Sequence, residues 1–270
     1  MTDKKRKIWS VLRRICILGF WLIAVSGLGV SLAWVNKHEQ SVPCKNIVVK
    51  IAPAELEFYN RQSVIQRLST FLDGKKLKGS EISDIQTGML EEKLKSQPAI
   101  EDADLYYDYQ GTLRIRVQQQ TPILRVIRYD GGSYYIDRKG NKFPLSAAYT
   151  AHVPVANGNI FEPFNAHEKV YSFIGQQLYK MALYVDNDPF WKAQIEQIFV
   201  TGAGEFILVP RLGGHVLEFG DSTDMEAKFS KLLVFYREGL NRLGWSRYST
   251  INVKYKDQVI CIKKDSTHVN

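Results

Sequence analysis

An uncharged run of 21 residues, 15–35, constrains the fold of this chain more than any other feature of the sequence. A helix needs roughly 20 apolar residues to cross the hydrocarbon core of a bilayer. Trp9 precedes the run and Trp34 lies near its far end, and indole rings favour the membrane interface. The run therefore predicts a transmembrane helix. No second run of this length occurs in the sequence, which indicates a single-pass protein.

Residues 1–14 form a basic tail that fixes the predicted orientation. They hold six basic residues against one acid, Asp3, so +5 of the formal net charge of +8 lies here. Basic residues beside a membrane segment stay in the cytoplasm, which predicts that residues 36–270 lie on the other side. A cleaved signal peptide is the alternative, because Ser31-Leu32-Ala33 resembles a cleavage site. The apolar part of a signal peptide is shorter, about 7–15 residues, and an anchor is the preferred prediction.

The other charges and the cysteines exclude two further classes of protein. Beyond the tail the net charge falls to +3, and the basic residues are dispersed among Asp and Glu. Nucleic acid is therefore not an expected partner. Three cysteines are too few for a disulfide framework. Cys16 lies in the apolar run, and Cys44 and Cys261 are expected to be buried free thiols rather than a bonded pair.

Residues 44–120 show a compact alternation of short elements. The predicted order is a strand at Ile47–Ile51, a helix from Asn60 to Asp73-Gly74, a second helix from near Ser83 to Pro98, and strands at Ile100–Tyr109 and Thr112–Gln118. In the last strand Leu113, Ile115 and Val117 alternate with polar residues, as in a strand with one buried face. The segment predicts a strand-helix-helix-strand-strand domain.

Pro122 marks the change to a second domain, 121–264, because proline is tolerated at a strand start that needs no ladder donor. Short strands alternate here with turn residues, and the segments Glu168–Val185 and Met225–Leu243 have helical periodicity. The expected fold class is α+β: a transmembrane helix, a small α+β domain, and a mixed β domain with two packed helices. A short tail, 265–270, follows.

No arrangement typical of a catalytic or metal site is recognisable in the sequence. Asp137 could be a general base, but no partner acid, histidine or metal ligand is evident nearby, and Asp137-Arg138-Lys139-Gly140 is interpreted as a turn. Gly202-Ala203-Gly204 lacks the further glycine and the helix start of a phosphate-binding loop, so a hairpin turn is expected. The five histidines show no metal-ligand spacing. No catalytic residue, metal or cofactor is predicted.

The order and spacing of short motifs resemble the bacterial cell-division family FtsQ/DivIB over nearly the whole chain. After the basic tail and the apolar run, the resemblance rests on Pro98–Ala103, Thr112–Val117, Thr121-Pro122-Ile123, Tyr135-Ile136-Asp137, Val153-Pro154-Val155, Leu217–Gly220 and Ile251–Tyr255. This chain departs from the family at Gln119-Gln120, where Glu-Arg is frequent, and at Asn252, where Asp is frequent.

The resemblance implies a POTRA domain at 44–120 and a β domain at 121–264 of a non-enzymatic scaffold. The scaffold belongs to the divisome, the septal cell-wall synthesis machine, at the inner (cytoplasmic) membrane. The implied partners are FtsB and FtsL, single-pass proteins with coiled coils outside the membrane, as well as septal synthesis enzymes and FtsK-like recruiters. In the family, FtsB adds a strand to the carboxy-terminal sheet edge. The matching residues here are Tyr255, Asp257, Gln258, Val259, Ile260, Cys261 and Ile262.

Two other classes of protein remain open at this point. One is a POTRA-bearing factor for secretion or outer-membrane assembly, which normally shows tandem POTRA units or a membrane barrel. The other is a periplasmic enzyme that acts on the cell wall.

Overall fold

The computed structural model describes residues 43–74, 76–81 and 85–264, together with Gly19, Trp21 and 25–27. The predicted basic tail, most of the predicted transmembrane helix 15–35, and the tail 265–270 lie outside the described residues. No helix in the described part of the chain has the length and apolar character needed to cross a bilayer. Contacts divide the chain into two units, the first holding 61–94 and 103–117, and the second holding 51–60, 95–102 and 118–270.

The first sheet has the predicted order of elements: β1 (Asn46–Ala52), α1 (Arg61–Phe71), α2 (Thr87–Lys95), β2 (Ile100–Tyr107) and β3 (Thr112–Gln119). Its three strands lie in the order β1-β3-β2. The helices bury Val64, Leu68, Leu90 and Leu94, as their spacing predicts. Strand β3 alternates buried apolar residues with exposed Arg114 and Arg116. The described part of α2 starts at Thr87, whereas Ser83, the predicted start, lies outside the described residues.

The second unit contains a nine-stranded mixed sheet. Its strands are β4 (Pro122–Ile127), β5 (Ser133–Asp137), β6 (Lys142–Pro144), β7 (Val155–Gly158), β8 (Ile195–Val200), β9 (Phe206–Pro210), β10 (Val216–Gly220), β11 (Tyr248–Asn252) and β12 (Ile260–Lys263). They lie in the order β12-β11-β10-β9-β8-β7-β4-β5-β6. Strand β12 therefore forms one end of the sheet and β6 the other.

The helices of the second unit share one core with this sheet. They are α3 (Phe173–Asn187), α4 (Pro189–Gln194), α5 (Met225–Val234), a π-helical segment (Phe235–Leu240) and α6 (Asn241–Leu243). Leu178 and Met181 of α3 and Phe229 and Leu232 of α5 lie in one hydrophobic cluster with the buried strand residues. Two predicted helices are thus present, and the short α4 was not predicted.

The hydrogen bonds of the Gln119 side chain, in the second unit, were also not predicted from the sequence. Its side-chain oxygen accepts the backbone N–H of Tyr59 at 2.9 Å, and its amide nitrogen donates to the carbonyl of Leu56 at 2.6 Å. The same short loop places Phe58 edge-on against the Tyr135 ring, with centroids 6.0 Å apart. The departure from the family pattern at Gln119 therefore supplies the donor and the acceptor that hold loop 53–59.

Both glycine-containing loops are turns, as predicted. The Asp137 carboxylate accepts the backbone N–H groups of Lys139 and Asn141, each at 2.8 Å, and Gly140 has φ 81°. In the second loop the N–H of Thr201 donates to the carbonyl of Glu205 at 2.9 Å. The Asp137 carboxylate thus accepts hydrogen bonds from the backbone of its own turn.

The prediction for Cys44 and Cys261 is correct in part. Both Cys44 and Cys261 are free. Cys44 is buried, whereas Cys261 is only partly buried because it lies on the terminal strand β12. The expectation of two buried thiols is therefore wrong for Cys261.

Candidate functional site

Strand β12 pairs on one side only among the described residues. It runs antiparallel to β11, with Ile262 opposite Thr250, Cys261 opposite Ile251 and Ile260 opposite Asn252. A strand at the end of a sheet leaves a row of N–H and C=O groups without ladder partners. This is the arrangement that strand addition requires.

The hydrogen bonds show which backbone groups face the free side of β12. The N–H of Lys264 donates to the carbonyl of Arg247 at 3.0 Å, and the carbonyl of Ile262 accepts the Ser249 hydroxyl at 3.3 Å. Both groups therefore point toward β11. Because successive residues of an antiparallel strand alternate in direction, the N–H and C=O groups of Cys261 and Lys263 point away from the sheet.

The side chains of β12 alternate between anchoring and exposed positions. Val259 and Cys261 pack against the hydrophobic core, which fixes the strand on the helix-covered face. Ile260 and Ile262 point the other way and are 44% and 57% exposed. Two neighbouring β-branched side chains are thus left uncovered beside an open row of backbone groups.

A turn before β12 presents the remaining predicted residues. The Tyr255 side chain is 51% exposed, and Asp257 and Gln258 are also exposed. Asp257 has φ 59°, in the left-handed region, where a short polar side chain is tolerated. The exposed members of the predicted site are Tyr255, Asp257, Gln258, Ile260 and Ile262. Val259 and Cys261 are instead partly buried against the core.

The opposite end of the sheet is covered. The N–H of Lys142 in β6 donates to the carbonyl of Glu168, and the carbonyl of Lys142 accepts the N–H of His167, both at 2.8 Å. Asn141 forms a further bridge with Lys169. Pro144 ends the strand and has no N–H to offer. The two ends of the sheet thus differ in whether their backbone groups already have partners.

A cleft of about 1280 Å³ lies beside the Tyr255 turn, between α3, α5 and the β8–β9 hairpin. Its lining includes Phe173, Lys180, Gly204, Asp221, Lys231 and Tyr255. Several of its charges are paired: Lys228 contacts Asp221 and Lys254 contacts Glu205, each at 2.9 Å. Hydrogen bonds from Thr223 and Lys228 lower the pKa of Asp221 to about 2. These ion pairs join neighbouring parts of the cleft wall.

Other titratable clusters in the described residues serve the fold. His215 is buried, and its Nε2 atom lies 2.8 Å from the Tyr236 hydroxyl. Burial lowers the pKa of His215, so the ring is neutral at pH 7. In the described part of the chain no three His, Cys, Asp or Glu side chains are grouped as metal ligands.

Comparison with known families agrees with this architecture. The family model "FtsQ/DivIB, C-terminal related" matches residues 121–262, which is more than half of the chain. This chain belongs to the FtsQ/DivIB family. A POTRA-like domain model matches residues 42–118. A search of curated proteins found no match.

Membership in FtsQ/DivIB gives the sheet edge its functional context. The family consists of non-catalytic cell-division proteins, which points to a scaffold that works with divisome partners at the division septum. The match over 121–262 also favours cell division over the secretion and cell-wall-enzyme alternatives, because a POTRA-like domain alone is shared with other classes.

Proposed function

We propose that this protein is a single-pass scaffold of the inner membrane that binds FtsB- and FtsL-like coiled-coil proteins and links them to septal peptidoglycan synthesis. Its role is non-enzymatic, and FtsK-like recruiters and septal synthesis enzymes complete its set of partners. The observation that carries the proposal is the open terminal strand β12 beside the exposed Tyr255 turn. Residues 15–35 anchor the chain, and the POTRA and β domains lie outside the cytoplasm.

The chemistry of the edge defines the strand that it accepts. A partner strand bonds to the outward N–H and C=O groups of Cys261 and Lys263, which supplies affinity without sequence preference. Specificity comes from side chains, because residues opposite Ile260 and Ile262 lie within about 5 Å and are favoured when apolar. The partner therefore presents an extended segment with apolar residues at alternate positions. Tyr255 packs against the partner residue that lies just beyond the end of this segment.

The proposal is tested by a double substitution, Tyr255→Ala with Ile260→Asp. The aromatic contact is lost, and a charge is placed where an apolar cross-strand pair would be desolvated. Capture of the FtsB-like protein of the same organism by the tagged full-length chain is expected to fall by at least about 30-fold, as for a hot spot worth ~2 kcal/mol. Binding is measured on detergent-solubilised protein.

A matched control makes comparable changes at exposed positions elsewhere in the second unit, Tyr129→Ala with Val234→Asp. The control is expected to retain capture, and both variants are expected to keep the thermal unfolding transition of the unaltered protein. Undiminished capture by a folded Tyr255/Ile260 variant contradicts strand addition at β12.

A further inference from the structure

Lys231 joins helix α5 to the chain segment that leads into β12. Its Nζ atom donates to the carbonyl oxygen of Val253 at 3.1 Å and also to the carbonyl oxygen of Tyr255. These two carbonyls belong to the link between β11 and β12. A single ammonium group therefore bridges the core helix and the partner-binding turn.

The two ends of this bridge differ in burial. Val253 is fully buried, and its N–H donates to the carbonyl of Glu218 at 3.0 Å, so this end of the link is part of the sheet. Tyr255 is half exposed, and the exposed residues Lys256 and Asp257 follow it. The hydrogen bond from Lys231 to the Tyr255 carbonyl thus fixes the backbone of Tyr255 relative to the sheet.

The partly buried charge of Lys231 is balanced by its hydrogen-bond partners. Burial lowers the pKa of its ammonium group, and the charge of Lys228 acts in the same direction, whereas Asp257 opposes both. The two carbonyl acceptors compensate for the partial loss of water around the charge. Lys254, by contrast, pairs with the Glu205 carboxylate and does not reach the turn carbonyls.

We propose that Lys231 is a positioning residue for the β12 edge. Its ammonium group fixes the carbonyls of Val253 and Tyr255, and so holds the Tyr255 side chain and the start of β12 in the conformation that accepts a partner strand. The effect on partner binding rests on the proposed function, whereas the effect on the conformation of the link does not. A lysine suits this place because its compact ammonium carries three donors that can serve two carbonyls at once.

The test is Lys231→Met, which keeps an unbranched apolar stem and removes the donors. Lys180→Met is the matched control, because Lys180 lines the same cleft and is exposed. Hydrogen exchange is followed by mass spectrometry on the full-length protein in detergent. Peptides spanning 253–263 are expected to exchange about tenfold faster in Lys231→Met, since hydrogen bonds to charged groups are the stronger ones. Peptides of the β8–β9 hairpin and the control variant are expected to exchange at the original rate.

Capture of the FtsB-like protein is measured in parallel and is expected to weaken about tenfold in Lys231→Met. Unchanged exchange in 253–263 overturns the inference, whatever the partner does. Unchanged capture by Lys231→Met, together with lost capture by the Tyr255/Ile260 variant, overturns the positioning role and leaves the proposed function intact. If neither variant loses capture, the proposed function fails instead, and the exchange result still decides the conformational role.

Discussion

Lys142 and Glu162 form an ion pair in which both side chains are fully buried, with Nζ and Oε1 3.0 Å apart. The ammonium also donates to the carbonyl of Pro163 at 2.7 Å, and the carboxylate accepts the N–H of Ser172 at 2.8 Å. Burial raises the pKa of Glu162, but hydrogen bonds from Ser172, Lys142 and Tyr171 outweigh it and the pKa is lowered. Both charges are thus compensated within the protein.

Removing one member of this pair is expected to destabilise the second unit. Lys142→Met leaves the Glu162 carboxylate buried with fewer donors and is predicted to cost about 3–5 kcal/mol of unfolding free energy. The double variant with Glu162→Gln is expected to recover part of that loss, because no uncompensated charge remains. Urea unfolding followed by tryptophan fluorescence measures both. A loss of unfolding free energy below ~1 kcal/mol in Lys142→Met contradicts the expected cost of breaking this buried ion pair.

His215 makes stability depend on pH. Burial is the main cause of its lowered pKa, and Lys264 contributes, while the backbone groups of Gly213 and Trp245 oppose the shift. The folded state therefore binds fewer protons than the unfolded state, whose histidine titrates near 6.5. Its contribution to stability is present above pH 6.5 and is lost as the pH falls toward the folded pKa.

His215→Gln is expected to flatten this dependence, since glutamine does not titrate and can still meet the Tyr236 hydroxyl. The unfolding free energy is compared between pH 7.5 and pH 5 in both proteins. The difference between the two proteins isolates the contribution of His215. An equal fall in stability on acidification would assign the effect to a different group.

At the scale of elements, periodicity predicted most of the fold. The order of elements in the first sheet and the two long helical segments of the second unit follow from alternating and helical apolar patterns, and the turns follow from Asp, Gly and Pro. Helix α3 begins at Phe173 rather than near Glu168, because Ser172 caps it and residues 167–169 bond to β6 instead. That long-range pairing has no local signal.

Two further features could not be read from local pattern. The apolar spacing of 225–243 fits one continuous α-helix, yet Phe235–Leu240 is π-helical and directs the Tyr236 hydroxyl toward His215. In the candidate site, residues 255–262 were predicted from the family resemblance, whereas Lys231 was missed. Nothing in its local sequence separates it from a lysine on a solvated helix face, because its carbonyl partners lie 22 and 24 positions away.

Strand β7 requires a glycine at its end. Gly158 has φ 99°, and a Cβ atom there would lie 2.3 Å from the carbonyl oxygen of Val200 in β8. Gly158→Ala is therefore expected to cost about 2 kcal/mol or more of unfolding free energy, from left-handed strain and the displaced neighbouring strand. Thermal and urea unfolding measure the loss.

Gly202→Ala is the control for this prediction, since an added Cβ atom there meets nothing closer than the Asn159 side chain at 3.8 Å. Its stability is expected to stay within about 0.5 kcal/mol of the unaltered protein. Equal stability of the two variants would show that the β7–β8 contact relaxes freely.

At the scale of the whole molecule, the proposed function joins the predicted membrane segment to the two matched domains as a tethered scaffold. Under that proposal the tether would confine the chain to a surface, and partners in the same membrane would meet it at a raised effective concentration. A short open edge is then sufficient for binding, because part of the entropic cost of association is met by the anchors. Anchored partners therefore require less contact area than partners that diffuse in three dimensions.

The two ends of the nine-stranded sheet are unequal, because in the described part of the chain only one of them leaves backbone groups open to a further strand. Sheets that are open at both ends can grow without limit, because every added strand offers the next acceptor. In this sheet β6 is already paired with residues 167–169, and β12 is its one open end strand among the described residues. Under the proposed function each copy would take up one strand at this sheet, which among its described strands has no second open end through which to polymerise. Assembly by this route ends in a discrete complex of fixed composition rather than a fibre.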